Sequence, residues 1–188
     1  MLTTAIVSSI LAFSASALAA PLSERQTTLS PWQVTGVGVF TPSGRPESYP
    51  WSTITVNASD PNELNLGTGP DGSPVTVPAG GQALNCQAKW LTGTSPTGHS
   101  WPCDPTGQGY WVLELLPGTS GFSTTNFDVK LTRVADRLYQ GSQFKKTYQG
   151  QGHFEVGDNL AGTCGGSGVC SWGLKADHNP FPIQQAQI

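Results

Sequence analysis

Residues 127–132 read Phe-Asp-Val-Lys-Leu-Thr, an alternation of apolar and polar side chains. Successive side chains of an extended chain point to opposite faces, which separates the two sets: Phe127, Val129 and Leu131 from Asp128, Lys130 and Thr132. Such a segment is typical of a β-strand with one buried face. Elsewhere, apolar residues recur at every second position more often than every third or fourth, and helix-length runs without Gly or Pro are scarce. The sequence therefore predicts an all-β protein.

Nine segments are predicted as strands: Trp32–Phe40, Ser52–Ala58, Val75–Val77, Ala83–Leu91, Tyr110–Leu116, Phe127–Val134, Leu138–Phe144, Thr147–Val156 and Val169–Lys175. Many short strands separated by turn signals favour one antiparallel β-barrel or sandwich domain over residues 32–188. Gly141-Ser142 and Gly150–Gly152 are predicted as hairpin corners or bulges. Residues 67–81 are rich in turn formers and are predicted as an exposed loop, either a surface insertion or a binding loop.

Residues 1–19 have the features of a secretory signal peptide. Their apolar stretch ends at Ala17-Leu18-Ala19, where small residues occupy the positions that a signal peptidase inspects. Polar residues within the stretch argue against a membrane-spanning helix. We therefore expect a secreted, extracellular protein that begins at Ala20, with a flexible segment over residues 20–31.

The composition excludes several partners. Charged residues make up 11% of the 188-residue chain, against about 25% in ordinary soluble proteins. The formal net charge is −3, and no basic run is present that could neutralise phosphates. Neither nucleic acid nor a membrane is expected as a partner.

Few residues are arranged for catalysis. His99, His153 and His178 lie far apart without metal-ligand spacing, so no metal and no cofactor are expected. Glu114 and Glu155 each lie in a predicted strand between apolar neighbours. They are either a glycosidase acid pair assembled by the fold or two side chains on solvent-facing strand positions. A role without catalysis is the favoured interpretation.

Aromatic residues concentrate around the first two cysteines: Trp90, Trp101, Tyr110 and Trp111. Aromatic faces on a nearly uncharged surface are typical of sites that bind sugars or planar ligands, and core packing is the alternative use of these side chains. Asn57-Ala58-Ser59 is an N-glycosylation sequon, which makes Asn57 a candidate glycan site if its side chain is exposed.

The four cysteines are Cys86, Cys103, Cys164 and Cys170. An even number in an exported chain predicts two structural disulfides, because the compartment is oxidising and no thiol is left over. Neither sequence-local pair has the Cys-x-x-Cys spacing of a redox motif or a zinc half-site.

Several segments, together with the order of the cysteines, resemble a known family: Ala20–Gln26, Trp32-Gln33-Val34, Leu84–Ala88, Trp101-Pro102-Cys103 and the short loop from Cys164 to Cys170. Over residues 32–172 the chain is similar to the Alternaria major allergen family. The resemblance implies a fungal secreted β-barrel with bridges Cys86–Cys103 and Cys164–Cys170. It also implies a non-catalytic role, since members act as allergens and elicitors of plant defence, bind flavonoid-like ligands and engage plant thaumatin-like proteins.

The chain departs from the founding allergen of that family in one respect that affects assembly. The founding member carries a further cysteine near its mature amino terminus that links two subunits, whereas residues 20–32 here contain none. We therefore expect a monomer or a non-covalent dimer. The leading hypothesis is a secreted allergen-like or elicitor protein that binds a plant defence protein or a small planar ligand. The alternative is a secreted carbohydrate-active protein, either a lectin or a glycosidase.

Overall fold

The computed structural model describes residues 28–188, so the predicted signal peptide and residues 20–27 lie outside the described part. Within that part the chain forms thirteen strands: β1 Trp32–Thr41, β2 Trp51–Asp60, β3 Leu64–Thr68, β4 Pro74–Val77, β5 Gly81–Leu91, β6 Ser100–Pro102, β7 Gly109–Pro117, β8 Asn126–Tyr139, β9 Ser142–Glu155, β10 Leu160–Cys164, β11 Cys170–Leu174, β12 Phe181–Ile183 and β13 Gln185–Gln187. One 3-10 turn covers Ala176–His178. Among the described residues, no helix is long and apolar enough to cross a membrane.

The strands form two main sheets and a hairpin. The first sheet has the order β10-β11-β1-β2-β5, with β12 beside β1, and the second has the order β13-β9-β8-β7-β6. The hairpin is β3-β4, and the strand pairs are antiparallel. Over residues 28–188 the two sheets do not close into a barrel. The all-β prediction is confirmed in its sandwich form.

Period-two alternation builds the core between the sheets. On β8, Phe127, Val129 and Leu131 are fully buried, as the alternation predicts. Ile54 and Val56 of β2 belong to the same cluster of buried residues. Burying an aliphatic or aromatic side chain of this size contributes about 1.5–3 kcal/mol. The alternation along these strands therefore fixes which faces of the two sheets meet.

The long β8–β9 hairpin corrects one part of the strand prediction. The predicted strand Leu138–Phe144 does not exist as a unit, because the chain reverses in its middle at Gln140-Gly141. Both turn residues have positive φ angles, 47° and 79°, as expected for a tight two-residue hairpin turn. The predicted corner at Gly141 is correct, and the three strands predicted over residues 127–156 are two longer ones.

The prediction of a hairpin corner or bulge at Gly150–Gly152 is wrong, because these residues lie inside β9 and pair with β8 in an unbroken register. A side chain on Gly150 would place its Cβ 2.7 Å from Cγ2 of Ile183, and one on Gly152 would come within 2.9 Å of Cδ1 of the same residue. The glycines are therefore explained by close packing against the segment that passes from β12 to β13, and not by a turn.

Residues 67–81 are a hairpin rather than the single exposed loop that the sequence predicts. The predicted strand Val75–Val77 is confirmed as part of β4, with both valines in the core, Gly67 and Thr68 end β3, and residues 70–72 form an exposed turn. Asp71, in the turn of this hairpin, accepts hydrogen bonds at Oδ2 from the Tyr139 hydroxyl at 2.9 Å and from Gln140 Nε2 at 3.0 Å. The Ser73 backbone N–H and the Tyr139 hydroxyl lower the pKa of Asp71. The turn formers thus shape a hairpin that docks against the tip of β8–β9.

Both disulfides implied by the family resemblance are present, and they use all four cysteines. Cys86–Cys103 joins β5 to the segment after β6, so it links the edges of the two sheets. Cys164–Cys170 closes the β10–β11 hairpin.

Candidate functional site

A pocket of about 340 Å³ opens where the start of β5 meets the segment between β6 and β7. This volume falls within the range of small-molecule sites. The side chains that give the pocket its chemistry are Gln82, Leu84, Asp104, Gln108, Trp111 and Arg133. We call it the Trp111 pocket.

A β-bulge shapes the β5 wall of the pocket. Between the pairs Val56–Cys86 and Ala58–Ala83, two residues of β5, Leu84 and Asn85, stand opposite the single residue Asn57. Asn85 has a φ of 50°, and its N–H donates to Asn57 Oδ1 at 2.8 Å. Because the extra residue interrupts the regular alternation, Leu84 is left 43% exposed at the pocket.

The opposite wall, residues 104–108, is held in place by the first disulfide and its surroundings. The Asp104 N–H donates to the Leu84 carbonyl at 2.8 Å, and Asn85 Nδ2 donates to Asp104 Oδ2 at 2.6 Å. The Cys103 N–H donates to the Trp111 carbonyl at 3.0 Å. The disulfide therefore fixes a wall of the pocket as well as the contact between the sheets.

Arg133 lines the pocket as a buried charge. Its side chain is 2% exposed and forms an ion pair with Asp60, which is fully buried. Asp60 Oδ1 also accepts hydrogen bonds from the Asn62 N–H at 2.9 Å, from Asn62 Nδ2 at 2.6 Å and from Gln185 Nε2 at 3.2 Å. These bonds offset part of the cost of removing the carboxylate from water. The Arg133 Cζ atom lies 5.3 Å from the centre of the Trp111 ring, a cation–π distance.

The guanidinium keeps unused donors. Within residues 28–188, Nη1 is the guanidinium nitrogen that makes a hydrogen bond, and its acceptor is Asp60. The rest of the group lies against the backbone of Gly81, which lines the pocket. A Cβ on Gly81 would fall 2.8 Å from Arg133 Cζ. Only glycine therefore leaves room for the guanidinium in this position.

Replacing Gly81 with Ala is expected to lower the free energy of unfolding by about 1–3 kcal/mol, because the pinned guanidinium must move. Gly38→Ala is the matched control, since Gly38 also lies in a strand and has nothing within 4 Å of its Cβ position. Its effect should stay within about 1 kcal/mol and tend to stabilise. Urea unfolding followed by circular dichroism measures both, and equal stability of the two variants would contradict the packing described for Gly81.

The four aromatic residues predicted as ligand contacts separate in the structure. Trp111 lines the pocket and packs edge-on against Trp32, with ring centres 4.8 Å apart. Trp90 is buried and meets Phe122 at 5.8 Å, which is core packing. Trp101 is partly buried against the core, and Tyr110 is exposed. Trp111 is thus the one of these four that combines a pocket position with a charged neighbour.

The sequence pattern indicates the buried position of Arg133 but not its partner Asp60. Continuing the alternation from Phe127 through Val129 and Leu131 places Arg133 on the buried face. A charge at such a position needs a partner, but Asp60 lies 73 residues away in the sequence, and the local pattern does not identify it.

Glu114 and Glu155 do not form a catalytic pair. Glu114 lies beside Lys130, which pairs with Gln151 on β9, and Glu155 lies four residues further along β9. Two strand spacings and four residues correspond to about 16 Å between Cα atoms. Glu114 Oε2 is 2.9 Å from Lys130 Nζ in a partly exposed ion pair. Both carboxylates therefore occupy outward positions of the second sheet.

His153 forms a separate cluster on the same outer face. Its Nδ1 lies 2.5 Å from Asp128 Oδ1, and its Nε2 lies 3.5 Å from Glu155 Oε2. The hydrogen bond to Asp128 raises the pKa of His153 above its usual value of 6.5. Among residues 28–188, no group of three or more His, Cys, Asp or Glu side chains is placed to hold a metal ion. The cluster is an ion pair that depends on pH.

The raised pKa gives a pH prediction with a definite sign. Protonated His153 stabilises the fold below the unfolded-state pKa of about 6.5, and this contribution is lost as the pH rises through the folded-state value. In an NMR titration the pKa of His153 should lie above 6.5 and should fall in Asp128→Asn. An unchanged titration curve in the variant would contradict the assignment of Asp128 as the cause.

A second cavity, of about 820 Å³, lies between β3 and β13, where Tyr148 and Gln185 line it. Burial raises the pKa of Tyr148, so its hydroxyl stays protonated at neutral pH. Gln185 also donates to the Ser30 carbonyl at 2.8 Å, and Asn62 donates to the same carbonyl at 2.9 Å. The last residues of the predicted flexible segment, 28–31, are therefore tied to the domain at Ser30.

Asn57 lies inside β2, and its side chain is partly buried. Because its Oδ1 accepts the Asn85 N–H, the amide supports the bulge at the pocket wall. Glycosylation of Asn57 stays a prediction.

Comparison with known proteins adds no relative. No protein-family model, no curated protein and no solved structure matches the chain. The fold and the site together define an antiparallel, sandwich-like β-protein with two disulfides and a pocket of small-molecule size at one edge, lined by a tryptophan and a buried arginine.

Proposed function

We propose that the chain is a secreted, non-catalytic binding protein whose Trp111 pocket holds a small planar ligand of the flavonoid type. The observation that carries the proposal is the pocket itself. It combines the indole of Trp111, the apolar side chain of Leu84 and the guanidinium of Arg133 in a space of about 340 Å³. Apolar and aromatic walls with a few fixed polar groups are typical of small-molecule sites.

Secretion and a fungal allergen-like or elicitor role form the biological part of the proposal. Two disulfides fit an oxidising compartment, and the predicted leader directs the chain there. The resemblance to the Alternaria major allergen family supplies the expected partner, a plant extracellular thaumatin-like protein. Infiltration of the purified protein into leaves, with a pull-down from apoplastic fluid, tests this part. Absence of both a defence response and a captured thaumatin-like protein would contradict it.

Two leucines of β5 give a matched test of the pocket. Leu84 and Leu91 are 43% and 44% exposed, but Leu84 lines the pocket and Leu91 lies at the other end of the strand. Binding of a neutral hydroxyflavone, measured by isothermal titration calorimetry, should weaken roughly fivefold or more in Leu84→Ala, because truncation removes apolar contact area. The Leu91→Ala variant should bind like the wild type. Equal binding by both variants would place the ligand outside the pocket.

A lectin is the second candidate, and one surface feature favours it. Tyr49 and Trp51 are exposed on the outer face of the first sheet, beside the hydroxyl and amide side chains of Thr53, Thr55 and Gln87. Aromatic rings beside neutral hydrogen-bonding groups suit a sugar surface. The Lys89 ammonium, however, lies 5.3 Å from the Trp51 ring centre and 5.7 Å from that of Tyr49. Lys89 therefore already occupies part of the ring surface that a sugar would contact.

A glycan array separates the two candidates. Glycan binding that is lost in Trp51→Ala and retained in Leu84→Ala would favour the lectin. A glycosidase has the least support, because Glu114 and Glu155 lie about 16 Å apart at their Cα atoms by strand geometry.

A further inference from the structure

Negative charges outnumber positive charges around the Trp111 pocket. Two charged side chains line it, Arg133 and Asp104. The charge of Arg133 is already balanced by Asp60, which is fully buried and paired with it. Counting +1 for Arg133 and −1 each for Asp60 and Asp104 leaves −1 around the pocket. The other polar lining side chains, Gln82, Thr106 and Gln108, carry no charge. A bound anion would therefore meet an arginine that is already neutralised, together with the exposed charge of Asp104.

The hydrogen-bonding groups still select for polar atoms on the ligand. Arg133 is 98% buried, and its donors other than Nη1 have no acceptor within residues 28–188. Within residues 28–188, no Arg133 nitrogen is among the fully buried polar atoms that lack a partner, and a neutral carbonyl oxygen in the pocket can accept from these donors without adding charge. The Oδ2 atom of Asp104 accepts a hydrogen bond from Asn85 Nδ2 at 2.6 Å. Its ionised carboxylate accepts hydrogen bonds and donates none, so a ligand group close to it must be a hydrogen-bond donor.

From this arrangement we propose that the ligand of the Trp111 pocket is electrically neutral. Its planar ring contacts Trp111, a carbonyl oxygen accepts from Arg133, and a hydroxyl group donates to Asp104. The proposal rests on the proposed function and specifies the class of ligand: hydroxylated aromatic carbonyl compounds, with aromatic carboxylates excluded. Because Asp60 already balances the charge of Arg133, the arginine favours a neutral hydrogen-bond acceptor over an anion.

Four probes test the proposal on the unaltered protein: 4′-hydroxyflavone, flavone-4′-carboxylate, and the pair 4′-hydroxyflavanone and 4′-hydroxyflavan, which share a saturated central ring and differ only in the carbonyl. Binding is measured by calorimetry at pH 6, where the phenols are neutral and the carboxylate is charged. Loss of the carbonyl removes a hydrogen bond to a charged donor and should weaken binding roughly tenfold to a hundredfold. The carboxylate should bind more weakly than the hydroxyflavone by roughly fivefold or more, because it adds a second negative charge near Asp104.

Asp104→Asn provides the protein side of the test at an exposed position. Removing this charge should reduce the difference in affinity between the carboxylate and the hydroxyflavone. Hydroxyflavanone, which has the carbonyl, should still bind more tightly than hydroxyflavan, which lacks it. Equal affinity of hydroxyflavanone and hydroxyflavan would overturn the role of Arg133, and tightest binding by the carboxylate would overturn the neutral class. Either result leaves the pocket intact. If none of the probes binds in a manner that depends on Leu84, the proposed function itself fails.

Discussion

Asp60→Asn is expected to lower the free energy of unfolding by about 3–5 kcal/mol, because it leaves the Arg133 charge buried without its partner. The two side chains are 0% and 2% exposed, so water cannot replace the lost carboxylate. The bonds from Asn62 and Gln185 would be weakened as well, because an amide oxygen carries less charge than a carboxylate. Chemical denaturation at pH 7, followed by circular dichroism, measures the loss.

A surface ion pair gives the matched control. Asp136 lies 3.4 Å from Lys145 in a partly exposed pair, and Asp136→Asn should change the stability by less than about 1 kcal/mol. The double variant Asp60→Leu with Arg133→Met should recover part of the loss, because it removes both buried charges together. Similar losses for Asp60→Asn and Asp136→Asn would show that the buried pair does not organise the end of the sandwich.

Removing the disulfide Cys86–Cys103 by a double Ala substitution is expected to cost about 3 kcal/mol, and removing Cys164–Cys170 about 2 kcal/mol. The difference follows from loop closure, since the bridges span sequence separations of 17 and 6 residues. Denaturation of the two variants under the same conditions measures both costs.

The two disulfide variants should differ more in ligand binding than in stability. Cys103 precedes Asp104, and the Asp104 N–H bonds the Leu84 carbonyl, so the first bridge holds two walls of the Trp111 pocket together. Hydroxyflavone affinity should fall when this bridge is lost and stay unchanged when Cys164–Cys170 is lost. The reverse order would show that the pocket wall does not depend on the Cys86–Cys103 bridge.

The sequence predicts the fold well where apolar and polar residues alternate along a single strand. The pattern of residues 127–132 extends along β8 and identifies the buried face, including the inward position of Arg133. It fails where a glycine has a packing role that depends on distant chain segments. Gly150 and Gly152 look like turn residues, but they are small because Ile183, about thirty residues later, packs on them. Residues 67–81 look like a loop partly for a similar reason, since Gly69 leaves room for the ring of Tyr139, whose Cε1 would lie 2.7 Å from a Cβ at that position.

The candidate site was predicted only in part. Trp111 belongs to an aromatic cluster that is visible in the sequence near Cys103, and it does line the pocket. The sequence pattern does not distinguish Trp111 from Trp90, which packs in the core. Both residues occupy inward-facing positions of their strands. The partners that give Trp111 its chemistry come from other strands. Asp60 ends β2 and Arg133 lies in β8, so only the stacking of the two sheets brings them together.

Nuclear magnetic resonance tests the central claim, that the Trp111 pocket is the binding site, most directly. In ¹H–¹⁵N spectra of the wild-type protein titrated with 4′-hydroxyflavone, the indole signal of Trp111 and the Nε–H signal of Arg133 should shift most. The indole signal of Trp51, on the outer face of the first sheet, should stay in place. Shifts at Trp51 without shifts at Trp111 and Arg133 would contradict the account.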